Sequence, residues 1–214
     1  MLHSLGFRTN ELMDEQKKRG LLIVVEGIDG TGKSSQVKML ADALCSRGED
    51  ALQDREPSDG PFGKILRASM TEGRFSPDKE LELFHKDRKQ HVDDVILPAL
   101  ERGTHVVLDR YYFSTMAYQG ANGFDVAELR ATNESFAPAP DLLFILDLDV
   151  DQALERIGTR GDEANEFEQR DALQFCRDVF LSVRDESYAR VIDSSPSIVT
   201  IHAEILKLAL AEIL

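Results

Sequence analysis

Residues 27–34 read Gly27-Ile28-Asp29-Gly30-Thr31-Gly32-Lys33-Ser34 and fill every fixed position of the pattern G-x-x-x-x-G-K-[ST]. They follow the apolar run Leu21 to Glu26 (LLIVVE) and precede a stretch with Val37, Leu40, Ala41 and Leu44 at helical spacing. A strand that turns sharply into a helix leaves unpaired N–H groups at the helix start, and glycine lets the backbone wrap an anion there. The segment therefore predicts a triphosphate cradle. Gly27, Asp29, Gly30, Thr31, Gly32, Lys33, Ser34 and Ser35 would surround a nucleoside triphosphate such as ATP. Lys33 would supply a point charge to the β- and γ-phosphates, and the Ser34 hydroxyl would face Mg²⁺.

The loop also constrains the rest of the chain. His105 to Asp109 (HVVLD) and Leu142 to Asp147 (LLFILD) repeat the form of the first strand, and Ala51 to Glu56 and Arg190 to Asp193 are weaker versions. Helical periodicity is carried by Lys33 to Arg47, Pro77 to Arg102, Val150 to Ile157, Ala172 to Tyr188 and Ser197 to Ile213. Alternating strands and helices, with the phosphate loop, predict an α/β, three-layer P-loop NTPase fold with a central, mostly five-stranded parallel sheet and helices on both faces. The 214 residues suit one such domain, read here as residues 21–214 behind an N-terminal extension, 1–20.

Composition narrows the partners. With 25 Lys and Arg against 39 Asp and Glu, the formal net charge is -14, which argues against nucleic acid or an anionic membrane as a partner. No apolar stretch is long enough for a membrane span. Two cysteines, Cys45 and Cys176, have no CxxC spacing, so a reducing cytoplasmic setting is expected. His85, His91 and His105 lie apart without metal-ligand spacing and read as ordinary helix or strand residues.

A phosphate loop alone does not choose among GTPases, ATPases and kinases, and the guanine-reading sequence N-K-x-D is absent. Three further segments bear on a second substrate. Arg55 to Gly63 (REPSDGPFG) offers a cation and a turn at a helix start, which suits a phosphate or an ordinary surface loop equally. Phe84 and Arg88 are four residues apart on one helix face; a ring with a planar guanidinium suits a flat base, although a core Phe beside a solvated Arg is the commoner arrangement. Asp109 ends a strand, where a carboxylate can sit near Mg²⁺, and Arg110 follows at the carboxyl edge of the sheet, where it can bridge two phosphates.

Taken in order, EGIDGTGKSSQ, REPSDGPFG, LFHKDR, DRYYFSTMAYQG and PDLLFILDLDVDQALERI resemble the thymidylate kinase family of nucleoside monophosphate kinases, from Leu21 to the C-terminus. The resemblance implies transfer of a phosphoryl group from Mg·ATP to dTMP by a homodimer. It implies that Asp29 contacts the deoxyribose 3′-hydroxyl, that Phe84 stacks on thymine and that Arg88 bonds its carbonyl edge. Arg110 would hold the acceptor phosphate beside Asp109, with Arg55 near it. Ser114, Thr115 and Gln119 would line the base pocket, and Tyr118 would sit under the sugar, excluding a 2′-hydroxyl.

The family places a catalytic arginine in the phosphate loop or in the lid. Gly30 occupies the loop position, so the resemblance assigns the role to the lid, about 157–170, with Arg160 first and Arg156 and Arg170 behind it. Two features depart from the family: Ser58-Asp59-Gly60 stands where bacterial members more often have Gly-Gly-Thr, and the lid is acidic and poor in arginine. They keep two alternatives open, a kinase for another nucleoside monophosphate and a nucleotide-binding module without transferase activity. A ligase of the dethiobiotin synthetase kind fits the Phe84, Arg88 and Asp109-Arg110 segments poorly.

Overall fold

The structure, a computed structural model, describes residues 18–158 and 163–213, with only the backbone described for 163–168. Most of the N-terminal extension and Arg160 lie outside the described residues.

The first strand, β1 (Leu22–Glu26), leads into α1 (Lys33–Cys45). There follow β2 (Ala51–Arg55), α2 (Pro61–Glu72) and α3 (Pro77–His91). After a wide turn come α4 (Leu97–Glu101) and β3 (His105–Asp109). The chain continues through α5 (Tyr112–Ala121), α6 (Val126–Glu134), β4 (Leu142–Asp147), α7 (Val150–Ile157), α8 (Glu163–Ser182), β5 (Ala189–Asp193) and α9 (Ile198–Ile213). The strands form one five-stranded sheet in the order β2-β3-β1-β4-β5, and every pairing is parallel.

Alternation along the strands makes the three layers. Leu22 and Val24 of β1 join Val106, Leu108, Leu143 and Ile145 in a core beneath α5 and α8. Ile23 and Val25 point the other way, with Val107, Phe144 and Leu146, into a core capped by α1 and α9. Ile201, Ile205 and Ala209 form the buried stripe of α9 at four-residue spacing. Every residue of β1 is buried, as expected for a central parallel strand covered by helices on both faces.

One predicted helix is broken. Pro77 to Arg102 reads as a single helical stretch, but α3 ends at His91 and Val92–Ile96 forms a π-turn, in which the Leu97 N–H reaches back five residues to the Val92 carbonyl. Pro98 explains the widening: it has no N–H to donate, and in an α-helix its ring would collide with the carbonyl four residues earlier. The apolar residues Val92, Ile96, Ala99 and Leu100 all turn into the chain's own core. The predicted Ala172 to Tyr188 helix also shifts: α8 begins at Glu163, so much of the segment read as a lid is helical, and it stops at Ser182. Of the shorter helices, α2 begins where the Arg55 to Gly63 segment predicts a helix start, whereas α5 and α6 have no counterpart in the sequence reading.

Candidate active site

The strand order puts the ends of β1 and β3 side by side, with Val25 opposite Asp109. Two loops therefore leave the same edge of the sheet together. In the first, Gly30 and Gly32 take left-handed conformations, with φ of 85° and 89°. A Cβ on Gly32 would meet nothing, so conformation alone requires glycine there; a Cβ on Gly30 would also lie 2.8 Å from the Ala153 carbonyl of α7. No side chain caps α1, so the N–H groups of its first turn, at Lys33, Ser34 and Ser35, are left for an anion. Thr31 is tied back by its hydroxyl to the Ile28 carbonyl at 2.8 Å.

Lys33 is folded into the loop. Its Nζ donates to the Ile28 carbonyl at 2.8 Å and lies 3.6 Å from the Asp29 carboxylate. Burial, with Arg110 nearby, lowers its pKa to about 8 despite the neighbouring carboxylates. For Asp29, burial works upward, but Arg110 and Lys33 outweigh it and hold the carboxyl below its ordinary value. The Ser34 hydroxyl donates to Asp109 Oδ2, while the buried Asp109 Oδ1 has no hydrogen-bond partner. A serine hydroxyl and a spare carboxylate oxygen, both hard donors, suit Mg²⁺. Among the described residues no three His, Cys, Asp or Glu side chains gather into a metal cage. A cation here would need phosphate oxygens to complete its shell.

The second loop carries Arg110, whose φ of 68° makes it the one non-glycine residue in the left-handed region among those described. That conformation costs about 1–2 kcal/mol. Glu26, fully buried at the end of β1, supports it. Its Oε1 accepts the Tyr111 N–H at 2.7 Å and the Ser114 N–H at 3.0 Å, and its Oε2 accepts the Ser114 hydroxyl at 2.7 Å. Burial pushes the Glu26 carboxyl up to about 7 against the pull of Arg110 and these hydrogen bonds. So held, the Arg110 guanidinium pairs with Asp29, donates to Ser114 Oγ at 3.3 Å and lies 5.2 Å from the Tyr118 ring centre.

From this point a cleft of about 450 Å³ runs toward α2 and α3. Asp29, Arg55, Phe84, Arg88 and Arg110 line it. Ser114, Thr115, Tyr118 and Gln119 of α5 line it too, so every substrate residue expected from the sequence reaches one cavity. Ser34 and Asp109 open into the same space, at the phosphate-loop end. The commoner arrangement for Phe84 and Arg88 is inverted: Arg88 is 2% exposed while Phe84 is only partly buried. Arg88 Nε donates to Glu56 Oε2 at 2.8 Å, Nη1 donates to Asn133 Oδ1, and the guanidinium lies 5.6 Å from the Tyr111 ring centre.

Asp59 does not face the cleft as an unbalanced charge. It accepts from Arg55 Nη2 at 3.0 Å and from Arg67 Nη2 at 2.7 Å, and Arg67 also donates to the Ser58 carbonyl at 2.6 Å. Of the lid arginines, Arg156 donates to the Ser194 carbonyl at 3.0 Å and to Gly30 at 3.4 Å, while Arg170 pairs with Asp151 at 2.7 Å. The sequence reading missed Glu26, Glu56, Arg67, His91 and Asn133. For Glu56 and His91 a signal existed: Glu56 adjoins Arg55, and His91 lies three residues past Arg88 on the same helix face.

Known proteins resemble this chain along most of its length. The family model for thymidylate kinase matches residues 25–205. A thymidylate kinase of Akkermansia muciniphila is 51% identical over 167 residues, 78% of this chain and 81% of that protein. One from Xylella fastidiosa is 43% identical over 191 residues, 89% of this chain and 87% of its own. One from Xanthomonas euvesicatoria pv. vesicatoria is 46% identical over 181 residues, covering 85% and 79%. The matched span takes in the phosphate loop, the cleft and most of the sheet around them, and the chain belongs to the thymidylate kinase family.

Proposed function

We propose that this protein transfers the γ-phosphoryl group of ATP to the 5′-phosphate of dTMP, giving dTDP and ADP. The observation that carries the reading is the single cleft with Ser34 and Asp109 at one end and Phe84, Arg88 and Tyr118 along the other, with Arg110 between them; Lys33 stands behind Asp29, 3.6 Å from its carboxylate, in the adjoining phosphate loop. The names of the relatives support thymidylate as acceptor.

An oxygen of the dTMP phosphate attacks the γ-phosphorus, and the bond from that phosphorus to the bridging β–γ oxygen breaks. Both partners are anions, so the chief task is to bring them together and neutralise charge. Lys33 leaves the Ile28 carbonyl for the donor phosphates, and the free N–H groups of α1 hold the β-phosphate. Arg110 exchanges its Asp29 partner for the acceptor phosphate, which frees the Asp29 carboxylate to accept from the sugar 3′-hydroxyl. Mg²⁺, held by Ser34 and Asp109 together with ATP, would neutralise charge on the donor phosphates.

Phe84 offers a face to thymine, and Arg88 Nη2, the nitrogen with no protein partner among the described residues, is available to its carbonyl edge. The Tyr118 ring, which lines the cleft beneath Arg110, would exclude a ribose 2′-hydroxyl. Arg160 is the proposed lid arginine. Gly30 supports a lid source, because any side chain there would meet the Ala153 carbonyl.

The chain works as a homodimer in the cytoplasm in this reading, on the strength of the family resemblance and of two free cysteines, Cys45 and Cys176. Among the described residues no helix is long and apolar enough to cross a membrane.

The test is ADP release with Mg·ATP across dTMP, dUMP, UMP and CMP. The expected order has dTMP first in kcat/KM and the ribonucleotides far behind. ATP binding without transfer to any acceptor would overturn the assignment in favour of a binding module.

A further inference from the structure

His91 plays no part in the phosphoryl transfer itself, yet its ring stands between two carboxylates. Its ring is buried at the end of α3, with side-chain exposure of 2%. Nδ1 stands 3.2 Å from Glu56 Oε1, and Nε2 stands 3.1 Å from Asp54 Oδ2. An ionised carboxylate can only accept, and a neutral imidazole has one N–H and one lone pair. A neutral ring would thus set its lone pair against one carboxylate, whereas an imidazolium donates to both.

The same Glu56 accepts from Arg88 Nε through its other oxygen, at 2.8 Å. The chain of contacts is therefore Asp54, His91, Glu56, Arg88, with charges alternating and summing to zero. Its last member lines the cleft.

We infer that His91 is a positioning residue for acceptor recognition: as an imidazolium it fixes the Glu56 carboxylate, which in turn fixes the Arg88 guanidinium against the base. The inference rests on the proposed role of Arg88 and deepens it. Without His91, Glu56 has only Arg88 to satisfy both oxygens. The guanidinium is then drawn into a two-pronged pair, and Nη2 is taken by the carboxylate rather than left for the base.

The charged groups around the ring come from every neighbouring element. Asp54 belongs to β2, Glu56 to the loop after it, and Arg88 to α3 itself. Asp59 acts on Asp54 from further along that loop, and Tyr111 from the loop after β3 covers Arg88. Burial alone would lower the His91 pKa, but the bonds to Asp54 and Glu56 outweigh it and raise it to about 9. That agrees with the geometry.

The experiment measures KM for dTMP, KM for ATP and kcat at pH 7 for the full chain and for His91→Gln, Glu56→Gln and the double variant. His91→Gln is expected to raise KM for dTMP about tenfold, with KM for ATP unchanged and kcat within about threefold. Because His91 acts through Glu56, the double variant is expected to match Glu56→Gln alone. A merely structural role would lower the active fraction and leave both KM values in place.

Unchanged KM for dTMP in His91→Gln, or full additivity in the double variant, overturns the inference. If His91→Gln does not fold, Asp54→Asn at the other ring nitrogen carries the test. It is expected to raise KM for dTMP severalfold, and no change overturns the inference. Failure of the unsubstituted protein to use dTMP would instead sink the functional reading and not this one alone.

Discussion

Replacing Arg88 in two ways separates its part in the fold from its part in recognition. Arg88→Met keeps the volume of the buried stem and removes the charge. Two charge-assisted hydrogen bonds disappear, to Glu56 at 2.8 Å and to Asn133, and the buried cluster changes from neutral to one net negative charge. Breaking a buried pair by deleting one partner costs about 3–5 kcal/mol. His91 stays beside Glu56, so the lower figure is expected, which lowers Tm by roughly 6–12 °C for a domain of this size.

Arg88→Lys keeps a cation for Glu56 and should cost only about 1–2 kcal/mol, the loss of one hydrogen bond and some packing. Both variants lose the guanidinium nitrogen offered to thymine. A hydrogen bond from a charged donor is worth about 1.5–3 kcal/mol, so both should raise KM for dTMP by about 10- to 150-fold. Urea denaturation at pH 7 reads the first quantity, and steady-state kinetics with saturating ATP reads the second. If Arg88→Lys binds dTMP as the unsubstituted protein does, the cleft recognises the base without Arg88. If Arg88→Met is as stable as Arg88→Lys, the buried pair does not matter as argued.

The phosphate loop and the His91 cluster offer further checks. Gly30→Arg, which would imitate the other arrangement in the family, is expected to abolish activity and lower stability, because φ is 85° and the Ala153 carbonyl lies 2.8 Å from the new Cβ; activity above one tenth of normal would contradict the packing of α7 on the loop. His91 has its folded pKa raised from 6.5 to about 9, so its stabilisation is complete below pH 6.5 and is lost as pH rises through 9. The difference in unfolding free energy between the unsubstituted protein and His91→Gln should therefore shrink by roughly 3 kcal/mol from pH 6 to pH 10; a pH-independent difference would show that the ring is neutral in the fold.

The layers of the fold were legible because the sheet is wholly parallel. Buried strands such as Leu142–Asp147 read as unbroken apolar runs, and the phosphate loop after β1 requires a helix directly behind it. The wide turn at Val92–Ile96 escaped notice because helical periodicity continues through it, and only Pro98 marks it. At the site, residues within one motif could be read from the motif. Partners that meet only through the fold could not: Glu56 and Asn133 lie 32 and 45 residues from Arg88 in sequence. An arginine is ordinarily exposed, and these distant partners, with the Tyr111 ring beside them, make it stable inside. Asp59 likewise adds a negative charge beside a candidate phosphate loop, and its second partner, Arg67, lies nearly two turns into α2, where the sequence does not pair it with Asp59.

The most direct measurement follows the label from [γ-³²P]ATP in a single turnover with dTMP, for the unsubstituted protein and for Lys33→Ala. The account predicts label in dTDP with the unsubstituted protein and a fall in rate of about 10²–10³ in Lys33→Ala, since one preorganised charge at the transferring group is removed. Near-normal transfer by Lys33→Ala, or label appearing only as free phosphate with the unsubstituted protein, would contradict it.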